Sequence, residues 1–419
     1  MTYHLIGING SAMSGLAEIL RAHGHEVTGS DLATTGHRAE HVTTRTARVV
    51  YSPAVTEGSP GWVEIEAARQ ASIEIIRYDT LLGELTQGAT LVAVTGTHGK
   101  SSTTAMIAHV LEEVGQDPTV LLGAPVPKWD GRNYRVGKSG LWVLEADDFD
   151  RKFLTLHPDI AVVTTLDHDH IDVYPTLFDV QEAFRQFLQG VKDGATVIAW
   201  ADQSVDPALG GIGPGVTVIR YGADRPYQPA LVPPLKVLGE HMRLNATAAL
   251  AAVEALGVER VRALGALASF PGTGRRLEYL GQRRGVAVYD DYGHHPTEVR
   301  ATLQAFKAAY PDRRRVVAFQ PHQHSRVQAL FEDFAAAFTD ADRLLLLDVY
   351  AVPGRNEGVR VESRDLAQAI ARHGTDVRYV GDLDGLRAVL DVELRDGDAF
   401  LTMGATDITK IGRAWVRVT

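Results

Sequence analysis

The chain has 419 residues, of which 45% are hydrophobic and 22% are charged. This composition is typical of a globular protein, and the length predicts two or three domains. Its 42 Lys and Arg side chains against 52 Asp and Glu give a formal charge of −10, which argues against a nucleic-acid binder. No cysteine is present, which excludes disulfides, thiol nucleophiles and cysteine-ligated zinc. Without an export signal or a membrane-length apolar stretch, we expect a cytoplasmic protein with no membrane partner.

Strand-like and helix-like stretches alternate along the whole chain. This alternation predicts parallel sheets covered by helices, and therefore an α/β fold. Polar, glycine-containing boundaries near residues 88 and 270 divide it into three domains, at 1–88, 89–270 and 271–419. The predicted strands are 3–8, 25–29, 47–51, 73–78, 91–95, 141–145, 160–165, 196–199, 286–289, 315–319, 344–349, 377–380 and 399–403, with helices at 245–256 and 259–268 among others.

The most informative segment is LVAVTGTHGKSSTTAM, residues 91–106. An apolar run predicts a buried strand, a short glycine-bounded loop follows, and we expect a helix to start near Thr103. Backbone N–H groups at a helix start, a lysine and a hydroxyl form a site for nucleotide phosphates and magnesium. The loop is shorter than the common G-x-x-x-x-G-K-[ST] pattern. We nevertheless predict an ATP and Mg²⁺ site from its residues, which are Gly96, Thr97, His98, Gly99, Lys100, Ser101 and Ser102.

A second glycine loop follows the first predicted strand. It reads Gly10-x-Ala12-x-x-Gly15, and Asp31 ends the next strand, which is close to the dinucleotide-binding pattern. One alternative is a tight strand–helix turn that binds nothing. Another is an NAD site in a dehydrogenase, but that interpretation leaves the loop at Lys100 unexplained.

Two acidic clusters end later strands, EADDFD at 145–150 and DHDHID at 167–172. Ligands of open parallel sheets sit at the carboxyl ends of the strands, so both clusters could reach bound phosphates. We expect Glu145 and His170 to be functional, and Asp148, Asp150 and Asp172 to be solvated turn residues. Paired histidines also suggest zinc, but the phosphate loop favours Mg²⁺.

Seven motifs occur in order along nearly the whole chain: TGTHGKSSTT, EADDFD, TTLDHDHIDVYPT, GTGRR, DDYGHHPTEV, FQPHQHSR and MGATDITKIGR. Together they resemble the Mur ligase family, and the resemblance is greatest to the members that add L-alanine to UDP-N-acetylmuramic acid. It implies a Rossmann-like domain for the UDP substrate, a central P-loop-type ATPase domain and a C-terminal Rossmann-like domain for the amino acid.

The resemblance implies an ATP-dependent amide-bond ligase that forms an acyl phosphate on the muramoyl carboxylate, which the alanine amine then attacks. A monomer or a dimer is expected. The implied catalytic residues are Lys100, Glu145, His170, Arg276, Asp291 and His294, with Ser101, Glu145 and His170 on the metal. Asn245, Arg276 and Asp291 join the phosphate loop on the nucleotide. The implied substrate-binding residues are Gly10, Ser11, Gly15, Asp31, Ser52, Tyr292, His322 and Arg326.

Several positions depart from the family pattern. Met242 stands where the family has an asparagine, Arg185 where many members have a carbamylated lysine, and Gln323 where alanine-adding members have an arginine. The N-terminal domain is also about one βα unit shorter than usual. Two alternatives therefore stay open: a ligase that attaches a recycled peptide to UDP-N-acetylmuramic acid, and a nucleotide-binding regulator with a decayed site.

Overall fold

The computed structural model of the chain describes residues 1–351, 358 and 360–417. It has three separate sheets of mostly parallel strands, which confirms the predicted α/β fold. The residues form two compact units. The first comprises Met1–Leu166, Phe178–Leu231 and Ala246–Leu267; the second comprises Asp167–Leu177, Val232–Asn245 and Ala268–Thr419. In the described part of the chain, no helix combines the length and the apolar character that crossing a membrane requires.

A four-stranded parallel sheet in the first unit begins the chain, with the strand order β2-β1-β3-β4. Two apolar clusters cover it, one including Leu5 and Leu16 and the other including Ile6 and Ile65. Because adjacent strand residues point to opposite faces, Leu5 and Ile6 anchor opposite layers. The elements are β1 (Thr2–Ile6), α1 (Ser11–Ala22), β2 (Glu26–Ser30), β3 (Arg48–Tyr51), α2 (Trp62–Gln70), β4 (Glu74–Arg77) and α3 (Tyr78–Leu85).

A seven-stranded sheet follows in the same unit, in the order β11-β10-β9-β5-β8-β6-β7, with only β6 and β7 antiparallel. The strand β5 therefore lies between β8 and β9, so the loop after it is flanked by the ends of both. The elements are β5 (Thr90–Thr95), α4 (Lys100–Glu113), β6 (Thr119–Val126), β7 (Arg132–Arg135), β8 (Leu141–Glu145), β9 (Ile160–Val163), α5 (Leu177–Gln189), β10 (Thr196–Trp200), β11 (Thr217–Tyr221), α6 (Glu240–Ala255) and α7 (Arg260–Ser269).

The six-stranded sheet of the second unit has the order β12-β13-β17-β14-β15-β16, and only β12 is antiparallel to its neighbour. Separate apolar clusters cover its two faces, which is typical of a doubly wound sheet. The elements are β12 (Glu278–Arg283), β13 (Val286–Asp291), α8 (Pro296–Ala309), β14 (Arg315–Phe319), α9 (His324–Ala329), α10 (Phe331–Ala335), β15 (Arg343–Leu347), α11 (Ser363–Arg372), β16 (Val377–Gly381), α12 (Leu383–Glu393), β17 (Ala399–Met403) and α13 (Thr409–Arg417).

The structure corrects several sequence-based boundaries. The helix expected near Thr103 begins at Lys100, and the one expected from 245 begins at Glu240. The strands β6, β7, β11 and β12 are absent from the predicted set; of these, β7, β11 and β12 are only partly buried and lack the apolar runs that identify core strands.

A buried carboxylate, Glu64 on α2, joins several segments of the N-terminal sheet. One of its oxygens accepts hydrogen bonds from Ser30 Oγ at 2.7 Å and contacts His4 Nε2 at 3.1 Å. The other accepts from the Arg38 backbone N–H at 3.0 Å and contacts His41 Nδ1 at 2.9 Å. Burial by itself raises the pKa of Glu64, but these bonds outweigh it and lower the pKa to about 2.

We predict that Glu64→Ala lowers the free energy of unfolding by about 2–4 kcal/mol, because it leaves the buried Ser30 and His4, and two less buried groups at Arg38 and His41, without their partner. Urea denaturation at pH 7 measures the change. The depressed pKa also predicts stability that is fully present above about pH 4.5 and is lost as the pH falls towards 2. Glu66→Gln, an exposed change on the same helix, is the control. Equal effects of the two substitutions would contradict the prediction.

Candidate functional site

The loop after β5 is held at the carboxyl edge of the central sheet. Gly96 has φ +133, and a Cβ there would overlap Thr164 Oγ1 at the end of β9, so only glycine fits. The Thr97 N–H donates to the Thr165 carbonyl at 2.6 Å, and the His98 N–H donates to Thr165 Oγ1 at 2.9 Å. These two N–H groups therefore fix the loop against β9.

Gly99 caps α4 in the left-handed conformation, with φ 84. The first N–H groups of a helix have no acceptor within that helix, and the helix dipole makes this end positive. Ser101 and Ser102 lie in the first turn and are 3% exposed. The backbone donors available for an anion are thus those of the first turn of α4, rather than those of Thr97 and His98.

Lys100 is the cation of this loop. Its Nζ donates to Asp148 Oδ1 at 2.8 Å, to the Gly96 carbonyl at 2.5 Å and to the Thr97 carbonyl at 3.2 Å. Burial opposes the charged form, but the carboxylates of Asp148, Asp147 and Glu145 outweigh burial and raise the pKa of Lys100. The ammonium therefore stays charged at neutral pH.

Asp148 corrects a sequence-based expectation. It was expected to be a solvated turn residue, yet it is 2% exposed and bonds to Lys100. Asp150 is half-buried and pairs with Arg77 at 3.1 Å, whereas Asp172 is exposed as expected. The run of acidic residues in EADDFD indicates a functional site, but the sequence does not show which of these side chains is buried.

Glu145 ends β8 and accepts a hydrogen bond from the Gly123 N–H at 2.5 Å. It lies on the wall of a cavity of about 190 Å³ within the first unit, to which the sequence-predicted Ser11 and Ser52 also contribute. The cavity thus brings together three predicted site residues that are far apart in sequence. Its wall consists of Ser11, Ala12, Ser52, Pro53, Tyr78, Asp79, Leu82, Leu121, Leu122, Gly123, Asn133, Glu145, Ala146, Asp147, Lys152, Phe153, Thr155 and Leu156.

The other residues of the first glycine loop have structural roles. Gly10 precedes α1, and its N–H donates to the Gly7 carbonyl at 2.9 Å. A Cβ on Gly15 would overlap Leu121, so this glycine allows α1 to pack against the central sheet. Asp31 accepts from the Asn9 and Ala33 N–H groups at 3.2 and 3.0 Å. A tight turn therefore accounts for the contacts of Gly10 and Asp31, and helix packing accounts for those of Gly15.

The second unit contains the other predicted residues, beginning with the end of β13. Asp291 is 4% exposed and accepts from the Leu277 and Gly293 N–H groups at 2.8 and 2.7 Å. Burial raises its pKa to about 6, although Arg276 opposes the shift. The Arg276 guanidinium lies 5.2 Å from the centroid of the Tyr292 ring.

An aromatic wall follows in the same unit. His294 makes edge contacts with Tyr292 and His322, at ring-centroid distances of 5.3 and 5.8 Å. The His322 ring stacks on Tyr350 at 5.7 Å. Burial, assisted by the charge of Arg326, lowers the pKa of His294 to about 3. At neutral pH the His294 ring is therefore uncharged and can accept a hydrogen bond.

The Arg326 guanidinium forms an ion pair with Asp169, which the sequence analysis did not predict. Its Nε and Nη2 donate to Asp169 Oδ1 at 2.9 and 2.8 Å, and both side chains are almost fully buried. The same carboxylate oxygen accepts from the His170 N–H at 2.7 Å. Burial raises the pKa of Asp169, but Arg326 outweighs it and holds the pKa well below its usual range. His170 itself has a left-handed backbone, with φ 51.

Arg185 and Met242, two of the positions that depart from the family pattern, make defined side-chain contacts. Arg185 pairs with Glu182 of its own helix at 2.5 Å, on the partly exposed side of α5. Met242 is buried, and its sulfur lies 3.7 Å from Asn245 Nδ2. The role of Asn245 at the nucleotide base stays a prediction.

Comparison with known proteins gives matches along almost the entire chain. Residues 2–90 match the Mur ligase family catalytic domain, 94–253 the Mur ligase middle domain, and 275–406 the Mur ligase glutamate ligase domain. The UDP-N-acetylmuramate–L-alanine ligase of Oleidesulfovibrio alaskensis is 38% identical over 454 aligned positions, covering 99% of this chain and 98% of that protein.

Two solved structures resemble the chain along nearly its full length. The UDP-N-acetylmuramate-alanine ligase of Thermotoga maritima has a TM-score of 0.81 at 26% identity, covering 99% of this chain and 98% of that one. A murein peptide ligase of Psychrobacter arcticus has a TM-score of 0.71 at 24% identity, covering 100% and 99%, which supports the fold alone. The three matched domains and the full-length relatives establish that this chain belongs to the Mur ligase family.

Proposed function

We propose that the chain is an ATP-dependent ligase that joins L-alanine to UDP-N-acetylmuramic acid in peptidoglycan precursor synthesis. The observation that carries the proposal is the charged, buried Lys100 at the start of α4, in a chain 38% identical to a ligase of that name. Residues 1–88 would bind the UDP substrate, 89–270 ATP and 271–419 the amino acid.

The phosphates of ATP would lie against the first turn of α4. The first N–H groups of α4, those of Lys100, Ser101 and Ser102, would donate to an anion at this position, and the Lys100 ammonium would add a full charge. Negative charge spreads over the phosphoryl group during its transfer, so fixed positive groups stabilise the transition state. The product of this step would be an acyl phosphate on the muramoyl carboxylate.

The donor set near Lys100 suits magnesium. The Glu145 carboxylate and the Ser101 hydroxyl are hard oxygen ligands, which Mg²⁺ prefers. The metal, when bound, would neutralise charge on the phosphates. Glu145 and Ser101 would hold it, and His170 stays a predicted third ligand.

The C-terminal residues would act mainly through position. The bonds from Leu277 and Gly293 to Asp291 fix the turn that carries Tyr292 and His294. The uncharged His294 ring could accept a hydrogen bond from the incoming amino group and so orient it for attack, whereas its low pKa makes it a poor base for removing the ammonium proton. Arg276, beside Tyr292, would face the negative charge of the nucleotide.

The alanine carboxylate is proposed to bind at Arg326 and His322. Asp169 occupies the Nε and Nη2 groups, so the substrate carboxylate would meet Nη1. It would compete there with the present contacts of Nη1 to His322 Nδ1 at 3.3 Å and to the His322 carbonyl at 3.4 Å. Arg326 would thus have two roles: it binds the amino acid and it neutralises Asp169 beside His170.

The two alternative functions differ from this one in their substrates. A recycling ligase would use a peptide in place of L-alanine, and a regulator would bind ATP without turnover. Phosphate release from ATP should require both UDP-N-acetylmuramic acid and L-alanine. Phosphate release with an L-alanyl tripeptide but not with L-alanine, in the presence of UDP-N-acetylmuramic acid, would support the recycling ligase. ATP binding without phosphate release in any mixture would support the regulator.

We predict that Lys100→Met lowers kcat by at least about a hundredfold, because a charge that stabilises the transferring phosphoryl group is lost. The measurement is phosphate release at saturating ATP, UDP-N-acetylmuramic acid and L-alanine. Lys138→Met, which alters an exposed lysine of the same unit, should retain wild-type turnover. Comparable turnover in Lys100→Met and wild type would refute the phosphate-site assignment.

We further predict that Arg326→Ala destabilises the protein by about 3–5 kcal/mol, because the buried Asp169 loses its counter-charge. Guanidinium denaturation gives the change in unfolding free energy. The double variant Arg326→Ala/Asp169→Asn should recover part of the loss, because no uncompensated charge remains. Arg300→Ala, on the exposed side of α8, is the control. No difference between the single and the double variant would argue against the ion pair.

A further inference from the structure

The cavity of about 190 Å³ beside Glu145 has one cation on its wall. All its lining residues lie in the described part of the chain, and among them Lys152 alone is basic. Three carboxylates, those of Asp79, Glu145 and Asp147, line the same space. Two of these are paired with cations: Asp79 with Arg77 at 2.9 Å, and Asp147 with Lys152 at 2.6 Å.

An unusual backbone turn places Lys152 at this wall. Asp150 and Arg151, immediately before it, both adopt left-handed conformations, with φ 56 and φ 54. This region is unfavourable for residues with a Cβ, so the surrounding contacts must hold the turn in place. One such contact is the Asp150–Arg77 ion pair at 3.1 Å. Another joins Thr155 Oγ1 to the Asp79 carbonyl at 2.9 Å.

Lys152 has capacity for a ligand. Among the residues that the structure describes, its ammonium group donates one hydrogen bond, to Asp147 Oδ2, and the Phe149 ring lies 5.1 Å from Nζ. An ammonium group has three N–H donors, so two can bind another acceptor. The side chain is 18% exposed, so a contact made there is screened less by water than one at the surface.

The position of Lys152 indicates which part of an acceptor it would meet. Lys152 donates to Asp147 at 2.6 Å and Lys100 donates to the neighbouring Asp148 at 2.8 Å, so both lysines contact the same acidic turn after β8. The reacting end of the acceptor must approach the phosphates held at Lys100. A cation on the Lys100 side of the cavity therefore meets the reacting carboxylate, whereas Ser11 and Ser52 line the same cavity from the N-terminal sheet.

We propose that Lys152 is a specificity residue that binds the carboxylate of a sugar-nucleotide acceptor in this cavity. In binding, the acceptor carboxylate shares the ammonium group with Asp147, and the two remaining N–H groups of Lys152 donate to its oxygens. The inference rests on the proposed function, because that function supplies an acceptor whose nucleophile is a carboxylate. The exchange involves hydrogen bonds alone and breaks no covalent bond.

Two sugar nucleotides that differ in the carboxylate provide the test. UDP-N-acetylmuramic acid carries the lactyl carboxylate and UDP-N-acetylglucosamine lacks it, while both carry the diphosphate. Isothermal titration of the full chain gives Kd for each ligand and for ADP. The variants are Lys152→Met, which removes the charge at similar length, Lys152→Arg, which retains the charge, and Lys138→Met as an exposed control.

We expect Lys152→Met to weaken binding of UDP-N-acetylmuramic acid by at least about tenfold, the effect of losing one hydrogen bond to a charged group. In the same variant, Kd for UDP-N-acetylglucosamine and Kd for ADP should each change by less than about twofold. Lys152→Arg should restore part of the preference for the carboxylate, and Lys138→Met should match wild type.

Equal weakening of both sugar nucleotides would overturn the proposal and assign Lys152 to the diphosphate. Unchanged binding of UDP-N-acetylmuramic acid by Lys152→Met would also overturn it. Either result leaves the ligase function intact as long as wild type releases phosphate with this acceptor and L-alanine. If wild type neither binds the acceptor nor releases phosphate with it, the proposed function fails first and this inference fails with it.

Discussion

The pairing of the buried Lys100 ammonium with nearby carboxylates is the interaction on which the site of the first unit depends. An isolated charge in this position would be costly, so the carboxylates of Asp148, Asp147 and Glu145 are required to keep it charged. Those acids follow β8, which pairs directly with β5. The sheet order thus brings the cation and its counter-charges together at one edge. Two of these acids, Glu145 and Asp147, also form part of the wall of the acceptor cavity, so charge compensation and substrate binding share residues.

In the first unit, ion pairing keeps Lys100 charged, whereas in the second unit burial has the larger influence on the protonation states of His294 and Asp291. Burial raises the pKa of Asp291 against the charge of Arg276, and it lowers the pKa of His294 together with the charge of Arg326. A neutral imidazole and a carboxyl group with a pKa of about 6 result. Asp169 is the contrast: the two direct bonds from Arg326 outweigh burial there. Direct contact with a guanidinium therefore separates the acid that stays ionised from the acid that titrates near neutrality.

The small N-terminal sheet relies on polar contacts as well as on its apolar layers. Glu64 joins α2 to β1, to the end of β2 and to the segment that contains Arg38 and His41. A short domain buries a smaller fraction of its surface than a large one, so one saturated carboxylate is a substantial part of its stability. Polar contacts also hold the loop from Gly7 to Gly10: the Asp31 carboxylate accepts from the Asn9 N–H at 3.2 Å, and the Ser30 carbonyl accepts from the N–H groups of Gly7 and Ile8 at 2.8 and 3.0 Å.

The sequence by itself determined the α/β class, most strand positions and the loop at Lys100, because apolar runs, glycines and the Gly-Lys-Ser triplet are local signals. It also supplied the motifs that led to the Mur ligase family, which the comparisons confirm. Only the tertiary structure decided that Asp148 turns inwards, that Gly15 serves packing, and that Asp169 occupies Arg326. Each of these depends on a partner distant in sequence, and side-chain burial and pairing arise only when the chain brings such partners together.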